Sequence, residues 1–312
     1  MSYNILVTGG AGYLGSTMVP SLLEEGHKVT VLDNFMYKQA SLNNCCFHEN
    51  FSVVRGDIRQ KSTMVPLMKT ADIIIPLAAL VGAPICTLDP VGATTINHDA
   101  INLMLKLLSK DQTILMPTTN SAYGTGDKDN FCNEDSPLRP ISQYAIEKVE
   151  IEKALMDHQN SISFRLATVF GMSPRMRIDL LVNDFTYRAV YDRFVVLFES
   201  HFKRNYVHVR DVSRVFQHAI NNHEKMKGEI YNVGLSDANV SKKELCEHIK
   251  KQLPDFSFIE EPIGKDPDQR NYIVSNEKIE ATGFSTKFSL DAGISDLIKG
   301  YSMLKNTRYG NV

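Results

Sequence analysis

Tyr144 and Lys148 stand four residues apart in Tyr144-Ala145-Ile146-Glu147-Lys148. On a helix that spacing puts both side chains on one face, where an ammonium can lie near a phenol oxygen. A free tyrosine titrates near ~10 and is almost wholly protonated at neutral pH. A cation about 4 Å away, at an effective dielectric of about 20, contributes about 4 kcal/mol, or roughly three pKa units as an upper bound. Such a tyrosine can take the proton of a substrate hydroxyl. A second group belongs with it. The run Thr113-Ile114-Leu115-Met116-Pro117 leads into Thr118-Thr119-Asn120-Ser121-Ala122-Tyr123-Gly124. A hydroxyl just past the carboxyl end of a central strand lies where doubly wound sheets bind ligands, and it can hold the substrate oxygen. Either feature alone fits an exposed helix or an ordinary polar turn. Together, in this order, they read as a catalytic pair with a helper.

Proton removal at a carbinol becomes an oxidation when a hydride acceptor is at hand, and the chain opens on a place for one. Asn4-Ile5-Leu6-Val7 is followed by Thr8-Gly9-Gly10-Ala11-Gly12-Tyr13-Leu14-Gly15. The glycines are three apart. Gly9 suits a tight turn, Gly12 a close approach to a pyrophosphate, and Gly15 a helix lying against its strand. The helix start offers N–H donors and a partial positive charge. The next strand, Lys28-Val29-Thr30-Val31-Leu32, ends at Asp33. A carboxylate there accepts from a ribose 2′-hydroxyl and repels a 2′-phosphate, which selects NAD over NADP.

The elements that must carry these groups alternate as a doubly wound parallel sheet requires. The pattern predicts strands near 4–8, 28–33, 51–55, 72–76, 113–117 and 161–165. It predicts helices near 13–25, 61–69, 94–109 and 142–158. After about residue 170 the rhythm becomes mixed, with Pro174-Arg175-Met176-Arg177 and Lys203-Arg204-Asn205-Tyr206, while Ile230-Tyr231-Asn232-Val233 reads as a strand returning to the sheet. The 312 residues are 43% apolar and 22% charged, ordinary for a globular enzyme. The net charge of −2 provides no field to recruit nucleic acid or an anionic membrane. The five cysteines are an odd number without a C-x-x-C, so no disulfide framework or zinc ribbon is indicated. No run approaches the ~20 apolar residues of a membrane span, and no signal peptide is visible. A cytoplasmic setting is expected. Cys45-Cys46 reads as a plain thiol pair, His208 as a structural residue within an apolar strand, and no spacing suggests a metal.

The chain resembles the extended short-chain dehydrogenase/reductase family in its nucleotide-sugar epimerase/dehydratase branch. The stretches that carry the resemblance are TGGAGYLG, Asp33, Gly56-Asp57-Ile58, Leu77-Ala78-Ala79, Asn97, TTNSAYG, YAIEK, Arg165, RNYVHVRDV and DPDQR. The resemblance implies an α/β fold: a Rossmann doubly wound sheet over 1–170, and over 171–312 mainly a smaller, intertwined lobe binding the nucleotide sugar. It implies NAD held by Gly9, Gly12, Tyr13, Leu14, Gly15, Asp33, Asn34, Asp57, Ile58, Leu77, Ala78, Ala79 and Asn97, with Asp57 and Ile58 at the adenine. Tyr144 is then the base, Lys148 also holds the nicotinamide ribose, and Thr119 is the partner hydroxyl. A homodimer through the helices near 94–109 and 142–158 is also implied.

The departures narrow the chemistry. The 4,6-dehydratases carry an Asp-Glu pair where Asn120 and Ser121 stand, the decarboxylating relatives want Glu at the Asn120 position, and the 3,5-epimerases place Cys at Ser121. Neither residue here is an acid or base at neutral pH. That leaves oxidation or reduction at sugar C4, with or without epimerisation. Pro76 replaces a usual His and Thr168 a usual Asn. Asn120, Ser121 and Thr168 remain as substrate contacts. Arg204 and Arg270 match the family's phosphate-binding arginines, and a guanidinium suits that task. Arg175, Arg177 and Asn183 are either further contacts to the nucleotide diphosphate or solvated and internally paired groups. Lys38 and Lys61 read as surface charges. The stretches IIPLAALVGAP, SPLRPISQY, FRLATVFG-SPRMR-DLLVNDFTYRA and VLFE-HF-RNY-HVRDV resemble dehydrogenases of bacterial capsule synthesis that oxidise C4 of a GDP-linked manno-heptose.

Overall fold

A computed structural model describes residues 2–125, 131–261 and 270–304. The chain opens with β1 (Asn4–Thr8), α1 (Gly15–Glu24), β2 (Lys28–Asp33), β3 (Phe51–Arg55), α2 (Lys61–Thr70) and β4 (Ile73–Pro76). It continues with α3 (Ala83–Leu88), α4 (Pro90–Thr94), α5 (Ala100–Leu107), β5 (Thr113–Thr119), β6 (Phe131–Cys132), α6 (Gln143–Met156), β7 (Ser161–Leu166) and β8 (Thr168–Phe170). Then come α7 (Leu181–Tyr191), β9 (Phe194–Phe198), β10 (Lys203–His208), α8 (Val209–Asn221), α9 (His223–Met226) and β11 (Glu229–Val233). The described chain closes with β12 (Asn239–Ser241), α10 (Lys242–Gln252), β13 (Ser257–Glu261), β14 (Ile273–Val274), α11 (Glu277–Glu280) and α12 (Leu290–Tyr301).

Seven of these strands form one parallel sheet in the order β11-β7-β5-β4-β1-β2-β3. Its strands are apolar on both faces because helices cover both. Ile5, Val7, Ile73, Ile75 and Leu115 point to one side, against Met18 and Leu22 of α1 and Val212 and Phe216 of α8. Leu6, Ile74, Ile114 and Met116 point to the other, against Met64 and Met68 of α2, Met104 of α5 and Ile151 of α6. The period-2 alternation of the strands thus divides one sheet between two cores. The strand order reverses between β1 and β4, and ligands of such sheets bind at the carboxyl edge of that switch point. As the sequence pattern indicates, residues 229–233 return to this sheet, beside β7.

A third core lies among α7, α10, α12, β9 and β10 and includes Phe185, Leu197, Tyr206, Leu245 and Leu297. Small sheets surround it: β8-β10-β12, and the pair β9-β13. Two expected helices change shape. The one near 13–25 starts at Gly15, because the preceding residues are spent on the glycine turn. The one near 94–109 becomes α4, a π-helical turn at Thr95–Asp99, and α5. It starts early because the Asp89 side chain accepts from Gly92 N and Pro90 holds the first helical position. The π turn places Asn97 inside, where it brackets Leu80.

A buried ion pair joins the elements that carry the catalytic candidates. Glu152 on α6 meets Arg165 on β7 at 2.6 Å, with side chains only 5% and 4% exposed. The same carboxylate accepts from Thr118 Oγ1 at 2.9 Å and Ser163 Oγ at 2.8 Å. Arg165 in turn donates to Tyr123 Oη at 3.0 Å, and Tyr123 donates to Asn232 Oδ1 at 2.7 Å. Removing one charge strands the other in a low dielectric. Glu152→Gln should therefore cost about 3–5 kcal/mol of folding stability in urea titrations.

His208 ends β10 as the N-cap of α8, its Nδ1 accepting from Arg210 N at 3.3 Å. It stacks on Phe288 and meets Phe170 edge-on. Burial holds its pKa down to about 4, which keeps the ring neutral. The unfolded chain binds that proton near ~6.5, so this contribution to stability is complete above that pH and is lost as pH falls towards 4. Calorimetric unfolding of His208→Gln should show a shallower loss of stability over that window than the parent.

Candidate active site

The first βα turn builds the floor of a crevice. Gly9 has φ +68°, and a Cβ there would fall 2.5 Å from the backbone of Ala78. The turn is closed by Gly12 N donating to Gly9 O at 3.0 Å. No side chain caps α1; Ser16 N donates to Gly12 O and Thr17 N and Met18 N to Leu14 O, and the positive end of the helix lies at the glycine turn. Gly9, Gly12, Asp33, Asn34, Asp57, Ile58, Leu77, Ala78 and Ala79 all line this crevice. The Asp33 carboxylate accepts from Phe35 N at 2.7 Å and Ala11 N at 3.0 Å, which fixes it at the end of β2 with lone pairs to spare. A hydrogen bond from Arg59 leads the causes that hold the Asp57 carboxyl below its usual range. Backbone that only glycine permits, a helix start and a fixed carboxylate together fit a dinucleotide.

A larger cavity of about 1020 Å³ adjoins it. Tyr13, Leu14 and Gly15 lie on its wall, with Thr119, Ser121, Tyr144, Lys148, Thr168, Arg175, Arg177, Arg204 and Arg270. Most of the expected catalytic and substrate residues therefore share one chamber, although they come from β5, α6, β8, β10 and the loops beyond. Thr119 Oγ1 donates to Ser121 Oγ at 3.0 Å and accepts from Ser121 N at 3.1 Å. Arg270 Nη1 also donates to Ser121 Oγ. Ser121 thus links the hydroxyl residue to an arginine. Of DPDQR, only Arg270 is described; 266–269 lie outside the described residues.

Tyr144 and Lys148 both lie on α6 and line the same chamber. Lys148 Nζ lies 6.0 Å from the centre of the Tyr144 ring and donates to Pro117 O at 3.3 Å. Helical spacing sets the side, while the carbonyl at the end of β5 sets where the ammonium rests. Desolvation pushes Tyr144 up to about 12; Arg177 and Arg270 pull it down and Cys86 opposes them. Desolvation also pulls Lys148 down to about 8, against the charge of Glu147. Both groups are poised by burial. Positive charge added beside them favours the phenolate.

Three expected contacts lie off the walls of both chambers. Asn183 is fully buried on α7, accepting from Gly171 N at 3.0 Å and donating to Arg177 O at 2.8 Å, which makes it an internal strut. Asn97 accepts from Leu80 N at 2.8 Å and donates to Leu80 O at 2.9 Å, which shapes the loop after β4. Asn120 is 1% exposed beneath the Thr119 turn, with no partner for its amide among the described residues. Arg175 is buried, its guanidinium 3.8 Å from the Tyr37 ring centre. Cys45 and Cys46 are free thiols.

Sequence reasoning missed Tyr37, which lines both chambers, and the wall residues Asp179, Asp184 and Ile141. Only Asp179 had a usable signal, an aspartate two positions after Arg177. Among the described residues no cluster of ligands suits a metal, and no helix is long and apolar enough to cross a membrane.

A model of the "NAD dependent epimerase/dehydratase family" matches residues 5–234. A low-salt glycan biosynthesis protein of Haloferax volcanii is 26% identical, over 96% of this chain and 98% of its own. A UDP-N-acetyl-alpha-D-glucosaminuronate decarboxylase of Bacillus cytotoxicus is 25% identical, over 98% and 100%. Among solved structures, the UDP-glucose 4-epimerase of Thermotoga maritima with UDP-glucose is 26% identical, with TM-score 0.82 over 96% of this chain and 99% of that one. The UDP-glucuronic acid 4-epimerase of Bacillus cereus, in complex with UDP-glucuronic acid and NAD, has TM-score 0.85 at 21% identity, over 97% and 100%.

The cofactor is NAD, and the crevice explains the choice. Asp33→Ser should reduce the preference for NAD over NADP by at least about tenfold. One unit-charge repulsion at 4 Å and an effective dielectric of about 20 exceeds the ~1.4 kcal/mol that a tenfold change requires. Equilibrium binding of the two cofactors measures it.

Proposed function

This chain belongs to the NAD-dependent epimerase/dehydratase family, and we propose that it oxidises C4 of a nucleotide sugar, a GDP-linked heptose, to a 4-keto sugar for surface polysaccharide synthesis. The observation that carries this reading is the chamber shared by Thr119, Tyr144 and Lys148, with no acid at Asn120 or Ser121. Elimination of water or movement of a second stereocentre needs a further acid or base on the sugar. Chemistry with these groups stops at one carbon. The choice of GDP and heptose rests on the resemblance of the stretches around 73–84, 136–144 and 164–212.

In this reading Thr119 orients the C4 hydroxyl and Tyr144 takes its proton. Lys148 stabilises the resulting charge distribution from behind the tyrosine. NAD, when bound, accepts the C4 hydride. Arg204 and Arg270 hold the diphosphate, and Ser121 relays the position of Arg270 to Thr119. These contacts matter most where alkoxide character develops.

A second reading has its own support. The cavity of about 1020 Å³ leaves room for a ketone to turn and be reduced on its other face, which would be 4-epimerisation. Mass spectrometry of the products from GDP-manno-heptose separates the two. A product lighter by two hydrogens, or its hydrate, supports the dehydrogenase; an isomer of unchanged mass supports the epimerase. Tyr144→Phe should keep NAD bound and lower turnover by about 10²–10⁴-fold, the usual worth of a positioned base. Near-normal rates would reject Tyr144.

A further inference from the structure

Arg177 carries a counter-ion of its own in the wall of the chamber. Its Nη2 meets Asp179 Oδ2 at 2.5 Å and its Nε meets Oδ1 at 3.3 Å. Nη2 also donates to Val81 O at 3.3 Å, on the loop beyond β4. The Arg177 side chain is 10% exposed and Asp179 26%. Both line the chamber that holds Tyr144. Asp184, a second carboxylate, lies in the same wall. Arg177 is also the foremost charge acting on the Tyr144 phenol, so its guanidinium lies near the reacting end of the chamber.

The charges decide what such a pair recognises. Resting on the proposed reading, the nucleotide diphosphate is matched by Arg204 and Arg270. Arg175 is committed to the face of Tyr37. The cation left near Tyr144 is neutralised by Asp179, and Asp184 in the same wall is paired with Arg188 at 2.9 Å. A carboxylate on the sugar would meet a pair that is already compensated. Neighbouring hydroxyls would meet a donor and an acceptor held side by side, which is what a vicinal diol needs.

We propose that Arg177 and Asp179 form a specificity pair that reads hydroxyls flanking the reacting carbon and rejects sugars bearing a carboxylate. The substrate class is thus an uncharged, polyhydroxylated nucleotide sugar. Asp179 works both ways: it accepts from a hydroxyl and repels a uronate.

The test is calorimetric titration of the NAD-loaded protein with GDP, GDP-mannose and GDP-mannuronate, and with UDP, UDP-glucose and UDP-glucuronate. The parent should bind the neutral sugar nucleotide at least about tenfold more tightly than its uronate, in whichever series binds. In Asp179→Asn that ratio should fall towards one or invert, because Arg177 is released to pair with a carboxylate. In Arg177→Gln the neutral sugar should lose most of its gain over the bare nucleoside diphosphate. Unchanged nucleoside diphosphate binding shows that each variant is folded. A parent that prefers the uronate, or an Asp179→Asn ratio equal to the parent's, overturns the proposal. NADH formation on the same samples is read separately. Discrimination without turnover rejects the oxidation and leaves the pair standing, whereas no binding in either series rejects both.

Discussion

The buried carboxylate of Glu152 is the constraint from which the active geometry follows. It sits on α6 two turns beyond Tyr144 and one turn beyond Lys148. Its oxygens take Arg165 and Ser163 from β7 and Thr118 from β5. Thr118 immediately precedes Thr119. One set of charge-assisted bonds therefore fixes the helix with the candidate base, the strand with the helper hydroxyl, and the strand between them and β11. A carboxylate this deep persists only when its lone pairs are all addressed. A slip of α6 along the sheet would leave it uncompensated.

Given that frame, burial and charge compete at the site itself. Desolvation raises Tyr144 and lowers Lys148, so each is displaced towards its neutral form. At Tyr144 the charges of Arg177 and Arg270 run the other way, and at Lys148 the charge of Glu147 does. A tyrosine held up to about 12 beside arginines is drawn towards the phenolate by each positive charge brought near it. The Pro117 carbonyl keeps the Lys148 ammonium at the carboxyl edge of β5, where the sheet's ligand crevice begins. The spacing of Tyr144 and Lys148 supplied the side; the end of a strand supplied the position.

What the sequence disclosed and what it hid follow one division. The strands of the parallel sheet were legible because Ile5-Leu6-Val7 and Ile73-Ile74-Ile75 must be buried on both faces, and the glycine turn because its φ and its closeness to Ala78 leave no other residue. The helix near 94–109 was misdrawn because a π turn has no compositional mark; its cause lies in the contact of Asn97 with Leu80. The apolar stripe of α8, Val209, Val212, Val215, Phe216, Ala219 and Ile220, was present but lay behind Arg-rich and aromatic residues that invited a functional reading. Tyr37 and Asn183 show the deeper limit. Tyr37 takes the Arg175 guanidinium on its ring, and Asn183 donates to Tyr13 Oη, 170 residues away; no local pattern reports either contact.

Those distant segments explain why the two lobes share one site. Ser173, on the loop after β8, donates to Tyr13 O at 2.7 Å and lies 2.9 Å from Ser16 Oγ. Tyr13 Oη donates to Gly171 O at 2.7 Å, and Arg175 N donates to Ser16 Oγ at 3.2 Å. The loop that carries Arg175, Arg177 and Asp179 is thus sewn to the glycine turn and the start of α1. Asn183 completes the seam by holding Gly171 N and Arg177 O together from α7. The dinucleotide crevice and the larger chamber form one structural unit, because the residues that divide them are bonded to both.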